Sequence, residues 1–348
     1  MLGFALPDGW IDLPEALLRP VLVALRLNWD EFVLLRAFSP EGMSRQGKLL
    51  NGQRVAHYTS VAGAIDIASG NAIWMRNARY MEDISEIRYG RGLVDKHFLG
   101  DSAAMLWDAL DSIHAGVSSE AKSLFQDWAE STEHETFIVC LTEHDAAEDQ
   151  DGRLSMWKYR RVHGGTGYDV AVVVNPTSFL SPTNAIMSWS FPVIYGEDAV
   201  ALASKDITRR VREAAATLAL QSRDQIHAHA FRMLVEVTVS AKHSGFREQR
   251  EWRIVHLPKL WPSDRIKPKR VRLSGEDEVV YELPLKNYES EGLVGASIPE
   301  FLDRVIIGPM EADRAAKARH AICDVLKKQL KLADGESKVV ASGIPIRA

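Results

Sequence analysis

An α+β fold with a mixed sheet and flanking helices is the class this sequence predicts, and three observations lead to it. Short apolar runs of strand type are scattered along the chain instead of alternating strictly with helices. Longer stretches between them carry apolar residues at helical spacing. No G-x-G-x-x-G opens a helix and no G-x-x-x-x-G-K-[ST] occurs, so a doubly wound or P-loop nucleotide fold has no support.

Taken in order, residues 13 to 38 hold Leu17, Leu18, Val21, Leu22, Leu25, Phe32, Leu34, Leu35 and Phe38, which predicts two helices interrupted at Pro20 and Asn28. Pro40, Gly42 and Gly47 then read as a loop, so residues 1–50 form an N-terminal helical extension ahead of a main domain over 51–335. Arg54 to Tyr58 reads as a strand, and Thr59 or Ser60 caps a short helix from Val61 to Ser69 that closes at Gly70-Asn71. Ala72 to Met75 is a second strand, and a helix begins near Tyr80 to Glu86. Residues 102 to 128 are helical, and Thr136 to Thr142 is a strand buried on both faces. His144 to Arg153 reads as an acidic loop, Leu154 to Arg161 as a short helix, and His163 to Gly167 as a turn. Strands follow at 169–174 and 191–195, helix at 199–234 and a loop at 241–245. Strands at 251–256, 279–283 and 304–308 precede a closing amphipathic helix over 312–330, and residues 336–348 read as a flexible tail.

Composition narrows the partners. The chain has 348 residues, 46% apolar and 26% charged, which excludes both a membrane bundle and a disordered polyelectrolyte. A net charge of −5 gives no global field to draw in nucleic acid or an anionic membrane. The basic residues Lys259, Arg265, Lys267, Lys269, Arg270 and Arg272 cluster locally and read as a solvated loop. Cys140 and Cys323 are the only cysteines, the pattern of a reducing compartment. With no basic leader segment and no apolar run approaching about 18 residues, the expectation is a cytoplasmic protein without a membrane partner. No C-x-x-C or H-E-x-x-H occurs, and His227 and His229 point to different helix faces, so no metal is expected.

The chemistry-bearing stretch runs from Gly245 to Val255, Gly-Phe-Arg-Glu-Gln-Arg-Glu-Trp-Arg-Ile-Val. It places Glu251 at the mouth of a strand. Read with His57-Tyr58-Thr59, it predicts a carboxylate and an imidazole facing one ligand, the carboxylate serving a sugar hydroxyl or a developing positive charge.

At these residues the chain resembles a bacterial family known as DUF2971. The resemblance rests on His57-Tyr58-Thr59, Trp74 with Asn77, Asp83 with Glu86, and Cys140-Leu141-Thr142-Glu143. It continues through Met156-Trp157-Lys158-Tyr159 with Gly164-Gly165, then Lys242, Glu251-Trp252-Arg253 and Val305 to Pro309, covering roughly residues 54 to 327 in order. The order of motifs is in turn similar to that of ADP-ribosyltransferases, especially the DNA-modifying toxin branch. That likeness implies a split mixed β-sheet core and NAD as substrate. His57 would hold a ribose with Thr59 in support, and Tyr159 or Tyr80 would stack on nicotinamide. Tyr58, Trp157 and Lys242 would complete the nucleotide site, the lysine at a phosphate. Glu251 would stabilise the oxocarbenium-like transition state, which needs no metal because the leaving group is already cationic. Gln249, two residues earlier on the same strand face, would select the acceptor.

The resemblance implies a toxin or phage-defence effector with a neutralising or sensor partner, and a protein or nucleic-acid acceptor left open. On this reading Glu251→Gln abolishes turnover and leaves the fold intact. The alternative is a nucleotide-binding or protein-interaction module without turnover. Plain structural roles stand beside each residue: His57 as a half-buried histidine, Glu251 in a surface ion network with Arg250 or Arg253, Trp157 and Tyr159 as core, Asp83 and Glu86 at a helix start, Lys242 as a solvated loop lysine, and Cys140 as inert packing.

Overall fold

Residues 5–25, 27–80, 85–131, 135–157, 168–179, 185–273, 275–328 and 331–345 are described in a computed structural model of the chain. Helices and a mainly antiparallel mixed sheet make up an α+β architecture. The strands are β1 (Arg54–Thr59), β2 (Ala72–Asn77), β3 (Phe137–His144), β4 (Val170–Val174), β5 (Trp189–Pro192), β6 (Ile194–Tyr195), β7 (Ala241–Lys242) and β8 (Glu251–His256). They continue with β9 (Lys267–Leu273), β10 (Glu276–Pro284), β11 (Leu302–Ile307) and β12 (Val339–Ala341).

One strand organises the rest. On one edge, β3 pairs with β8 from Phe137↔His256 to Thr142↔Glu251, and β8 carries β5 beyond it. The other edge is shared. There β1 pairs with the end of β3, Ala56↔Thr142 to Arg54↔His144, while β2 pairs with its start, Arg76↔Ile138 and Asn77↔Phe137. The sheet therefore forks. One arm runs β1, β4, β11 and β12, and the other runs β2, β10 and β9. Ser60 and Val61–Gly70 (α4) join the two prongs, with Ser60 Oγ accepting from Gly63 N and Asn71 closing the helix in the left-handed region.

The N-terminal helices are α1 (Glu15–Leu25), α2 (Trp29–Phe38) and α3 (Pro40–Leu50). Next come α5 (Ser85–Val94), α6 (Ala104–Ile113), α7 (Val117–Ser131), α8 (Glu197–Glu213), α9 (Arg223–Ser240) and α10 (Ala312–Lys328). Most cover one sheet face, where Val33, Leu34, Leu106, Phe125, Phe231 and Leu234 meet Ile138, Phe191 and Val255 in one core. The opposite face is covered by α4 and α10, whose Ala318, Ile322, Cys323 and Leu326 recur at helical spacing and pack on Val139, Val172, Leu141 and Trp252. The α5–α9 crossing is close enough to require glycine. A Cβ on Gly90 would stand 2.0 Å from the Thr238 carbonyl oxygen. Among the described residues no helix is long and apolar enough to cross a membrane.

Four expectations are corrected. Residues 40 to 50 are helix, not loop: Pro40 occupies the first turn, where no N–H is needed, and the glycines are small for packing. A Cβ on Gly47 would lie 2.6 Å from the Trp10 indole. The basic stretch 267–273 is the edge strand β9, seven residues paired with β10, whose alternation is hidden because lysine, arginine and Pro268 suit an exposed edge. The tail is ordered at 339–341, where β12 pairs in parallel with β11. The stretch 199–234 is broken after Glu213, and α9 restarts behind a Ser222–Gln225 capping box.

Candidate functional site

His57 sits where the fork opens. Its strand has left β3 after Ala56, and its Nδ1 lies 3.0 Å from the Cys140 carbonyl oxygen. A carbonyl only accepts, so Nδ1 carries the proton, leaving Nε2 as the acceptor in the neutral ring. Burial pushes the imidazole pKa down, against the opposing pull of the Cys140 carbonyl. Thr59 ends β1, its backbone oxygen accepting from Asp169 N at 2.9 Å.

Glu251 begins β8, where Thr142 opposes it on β3. It is buried, and both oxygens are engaged: Oε2 accepts from Lys242 Nζ at 2.9 Å and Oε1 from Arg253 Nε at 2.9 Å. Its backbone N–H donates to Tyr195 Oη at 2.8 Å. Burial by itself raises the carboxyl pKa, but Arg253 and Lys242 overcome it and hold the group well below the usual carboxylate range. The Cys140 thiol lies against the same carboxylate, and burial together with that charge keeps it protonated.

The two residues approach each other through Cys140, yet from opposite sides. His57 opposes Val172 on β4, placing it with Val55, Leu141 and Trp252 on the α10 face. Glu251 and Arg253 alternate with Trp252 and project to the face covered by α5 and α9. The structure brings the imidazole and the carboxylate to neighbouring atoms of one residue, not to one open crevice wall.

The other candidates divide similarly. Tyr58 points away from His57, accepts from Arg153 N at 2.8 Å through Oη, and stacks edge-on against Trp157 with ring centroids 4.8 Å apart. Trp157 is buried, its indole N–H donating to the Asp151 carbonyl at 2.7 Å. Both are core. Tyr80 is half-buried at the end of the β2 prong, beneath the Arg79 guanidinium at 4.9 Å. Lys242 is a buried strand residue, not a solvated loop lysine. The ion network foreseen around Glu251 exists but lies in the interior. Gln249 does not share a strand face with Glu251, because it ends a 3-10 turn over Ser244–Gln249 and Arg250 takes a left-handed conformation at φ 44°. Tyr159, Asp83 and the Gly164-Gly165 turn lie outside the described residues, and so does the side chain of Glu86.

Two features escaped the sequence reading. Glu143, quoted in the Cys140–Glu143 motif without a role, is buried between Arg45 Nη2 at 2.5 Å and Arg250 Nη2 at 2.7 Å, and it accepts from Trp252 Nε1 at 3.3 Å. Arg153 ties the adjoining turn down, donating to Glu148 Oε1 at 2.8 Å and to the backbone oxygens of Glu248 and Glu143. The signal was the density of charge where strands end, at Thr142 to Glu148 and Arg247 to Glu251. The second feature is a cavity of about 530 Å³ lined by Phe38, Ile207, Met233 and Glu236. Among the described residues no group of three or more His, Cys, Asp or Glu is placed to hold a metal ion. No protein-family model, curated protein or solved structure matches this chain.

Proposed function

We propose that this chain is a nucleotide-binding module of ADP-ribosyltransferase-like build, which takes NAD or ADP-ribose at the fork where β1 and β2 part along β3 and acts by binding, not by turnover. The observation that carries the reading is the state of Glu251. Both oxygens of this carboxylate are spent on Lys242 and Arg253, in a buried cluster on the face opposite His57. A carboxylate that stabilises a glycosyl cation must present an oxygen to the sugar, and this one is held by two internal cations. The fork supplies the neutral His57 ring, a polar group suited to a ribose hydroxyl.

Calorimetry with NAD and with ADP-ribose tests this. The expected result is saturable binding that weakens in His57→Ala, with no nicotinamide in the supernatant. Absence of binding to either nucleotide overturns the reading.

A second reading, an NAD-consuming ADP-ribosyltransferase with a protein, nucleic-acid or water acceptor, is favoured by one observation: His57 and Glu251 meet at Cys140, and Glu251 is kept ionised. It requires Lys242 or Arg253 to release the carboxylate. Label transfer from NAD in a cell lysate, or stoichiometric excess release of nicotinamide, selects this reading over the first.

A further inference from the structure

Strand β9 ends its arm of the sheet. It pairs with β10 from Lys267↔Glu282 to Leu273↔Glu276, and among the described residues no strand lies along its other side. The ladder decides which of its backbone groups look outward. Just past β10, the Leu285 N–H donates to the Asn71 carbonyl at 2.7 Å, so Leu285, Leu283 and Tyr281 turn their backbone groups toward β2. Alternation then turns Glu282, Val280 and Glu278 toward β9, where they meet Lys267, Lys269 and Val271. The residues between, Pro268, Arg270 and Arg272, therefore turn their backbone groups away from β10. Pro268, with no N–H to donate, sits at a position where none is needed.

The side chains keep the same period. Arg270 and Arg272 are exposed on one face of β9, and neither has an ion pair among the described residues. The carboxylates of β10 do not neutralise them. Glu278 is held by Arg76 at 2.8 Å and Glu282 by Lys269 at 2.7 Å, while Asp277, across from Arg272, makes no ion pair with it. On the other face Val271 is half-buried, and Lys269 lies over the Trp74 ring at 5.3 Å. Outward backbone groups and unpaired guanidiniums thus belong to the same two residues. Such a row of cations keeps two copies of β9 from pairing with each other, since like charges would stand opposed. It favours an anionic strand for the same reason.

We infer that β9 is a docking edge for an extended acidic segment of a partner protein. The segment adds as a further strand, with carboxylates at alternate positions opposite Arg270 and Arg272 and an apolar residue between them on the side of Val271. Backbone hydrogen bonds hold the segment, and the alternate carboxylates select its sequence. This edge lies two strands outward from β2, so the inference stands apart from the nucleotide reading.

The probe is the peptide acetyl-Thr-Val-Glu-Val-Glu-Val-Thr-amide, titrated by calorimetry into the full chain. One control carries N-methyl groups on both glutamate amides, which keeps the charges and removes the edge-facing donors. A second replaces both glutamates by glutamine, and an oligothymidylate serves as a purely anionic competitor. One-to-one binding is expected, at least about tenfold tighter than that of either control peptide. The double variant Arg270→Gln/Arg272→Gln, changed only at exposed side chains, should melt with the parent and lose a similar factor. Hydrogen exchange over residues 267–273 should slow when the peptide is bound. The inference is overturned if the peptide does not bind, if the N-methylated peptide binds equally well, if oligothymidylate binds as tightly, or if the double variant keeps its affinity.

Discussion

Glu251→Gln is the most informative single substitution, because it removes one charge while conserving shape. The parent holds one anion between two cations, all three buried, with Lys242 and Arg253 each 2.9 Å away. After substitution two buried cations face a neutral amide. Removing one partner of a buried ion pair costs about 3–5 kcal/mol. The amide oxygen still accepts one bond, and Arg253 keeps the Val239 carbonyl, so a loss near about 3 kcal/mol is expected. Against a total stability of about 5–15 kcal/mol, that is a large shift of the urea midpoint followed by circular dichroism. Adding Lys242→Met removes one of the stranded cations and should restore about 1 kcal/mol or more. The acid limb must change as well. A depressed carboxyl pKa contributes stability above the unfolded value of 4.5 and loses it as pH falls through the folded value, so the variant should show a shallower acid loss. A midpoint unchanged from the parent, or a double variant weaker than the single one, would refute the buried cluster. Glu251→Gln is thus expected to weaken the fold as well as remove the charge, and lost activity in it reports catalysis only after its stability has been matched.

Gly90→Ala should destabilise by about 1–3 kcal/mol, since its methyl meets the rigid Thr238 carbonyl at the α5–α9 crossing, and a thermal melt equal to the parent would contradict that packing. His57 has a folded pKa below 6.5, so the unfolded chain takes up the proton first and stability falls as pH drops from 6.5 to the folded value. His57→Gln should flatten that slope; His144, His229 and His256 titrate in the same direction, so the quantity measured is the difference between variant and parent. Glu236 has a raised folded pKa, so its contribution is present below 4.5 and lost as pH rises through the folded value. Glu236→Gln should therefore melt higher than the parent near neutral pH, with the gain shrinking in acid; a lower melt near neutral pH would place a charged partner at Oε2.

The central strands were legible because burial on two faces writes continuous apolar runs, as in Val170 to Val174 and Phe137 to Leu141. The start of α4 was legible from Ser60, whose side chain does what its type predicts. Strand β9 was not, since an edge strand is selected for charge and its pairing partner β10 supplies the apolar side chains. Helix α3 was hidden by Gly42 and Gly47, which look like breakers until Trp10 and Ser39 are seen pressed against them. At the candidate site, alternation along β8 was readable, but register was not. That Glu251 lies beside Cys140 and Lys242, and His57 beyond β3, depends on pairings between segments far apart in sequence. The turn at Arg250 also breaks the alternation that seemed to link Gln249 to Glu251.

The first fifty residues are not an appendage. Val33, Leu34, Ala37 and Phe38 belong to the same core as α6, α7 and α9, and Asp12 is clasped by Arg210 from α8. A shortened gene product starting at residue 51 would lay bare the apolar flank of α8 and α9, and such exposed surface drives association. Expression trials of that truncation should yield inclusion bodies or oligomers, and boundaries chosen by motif coverage would cut through a cooperative unit.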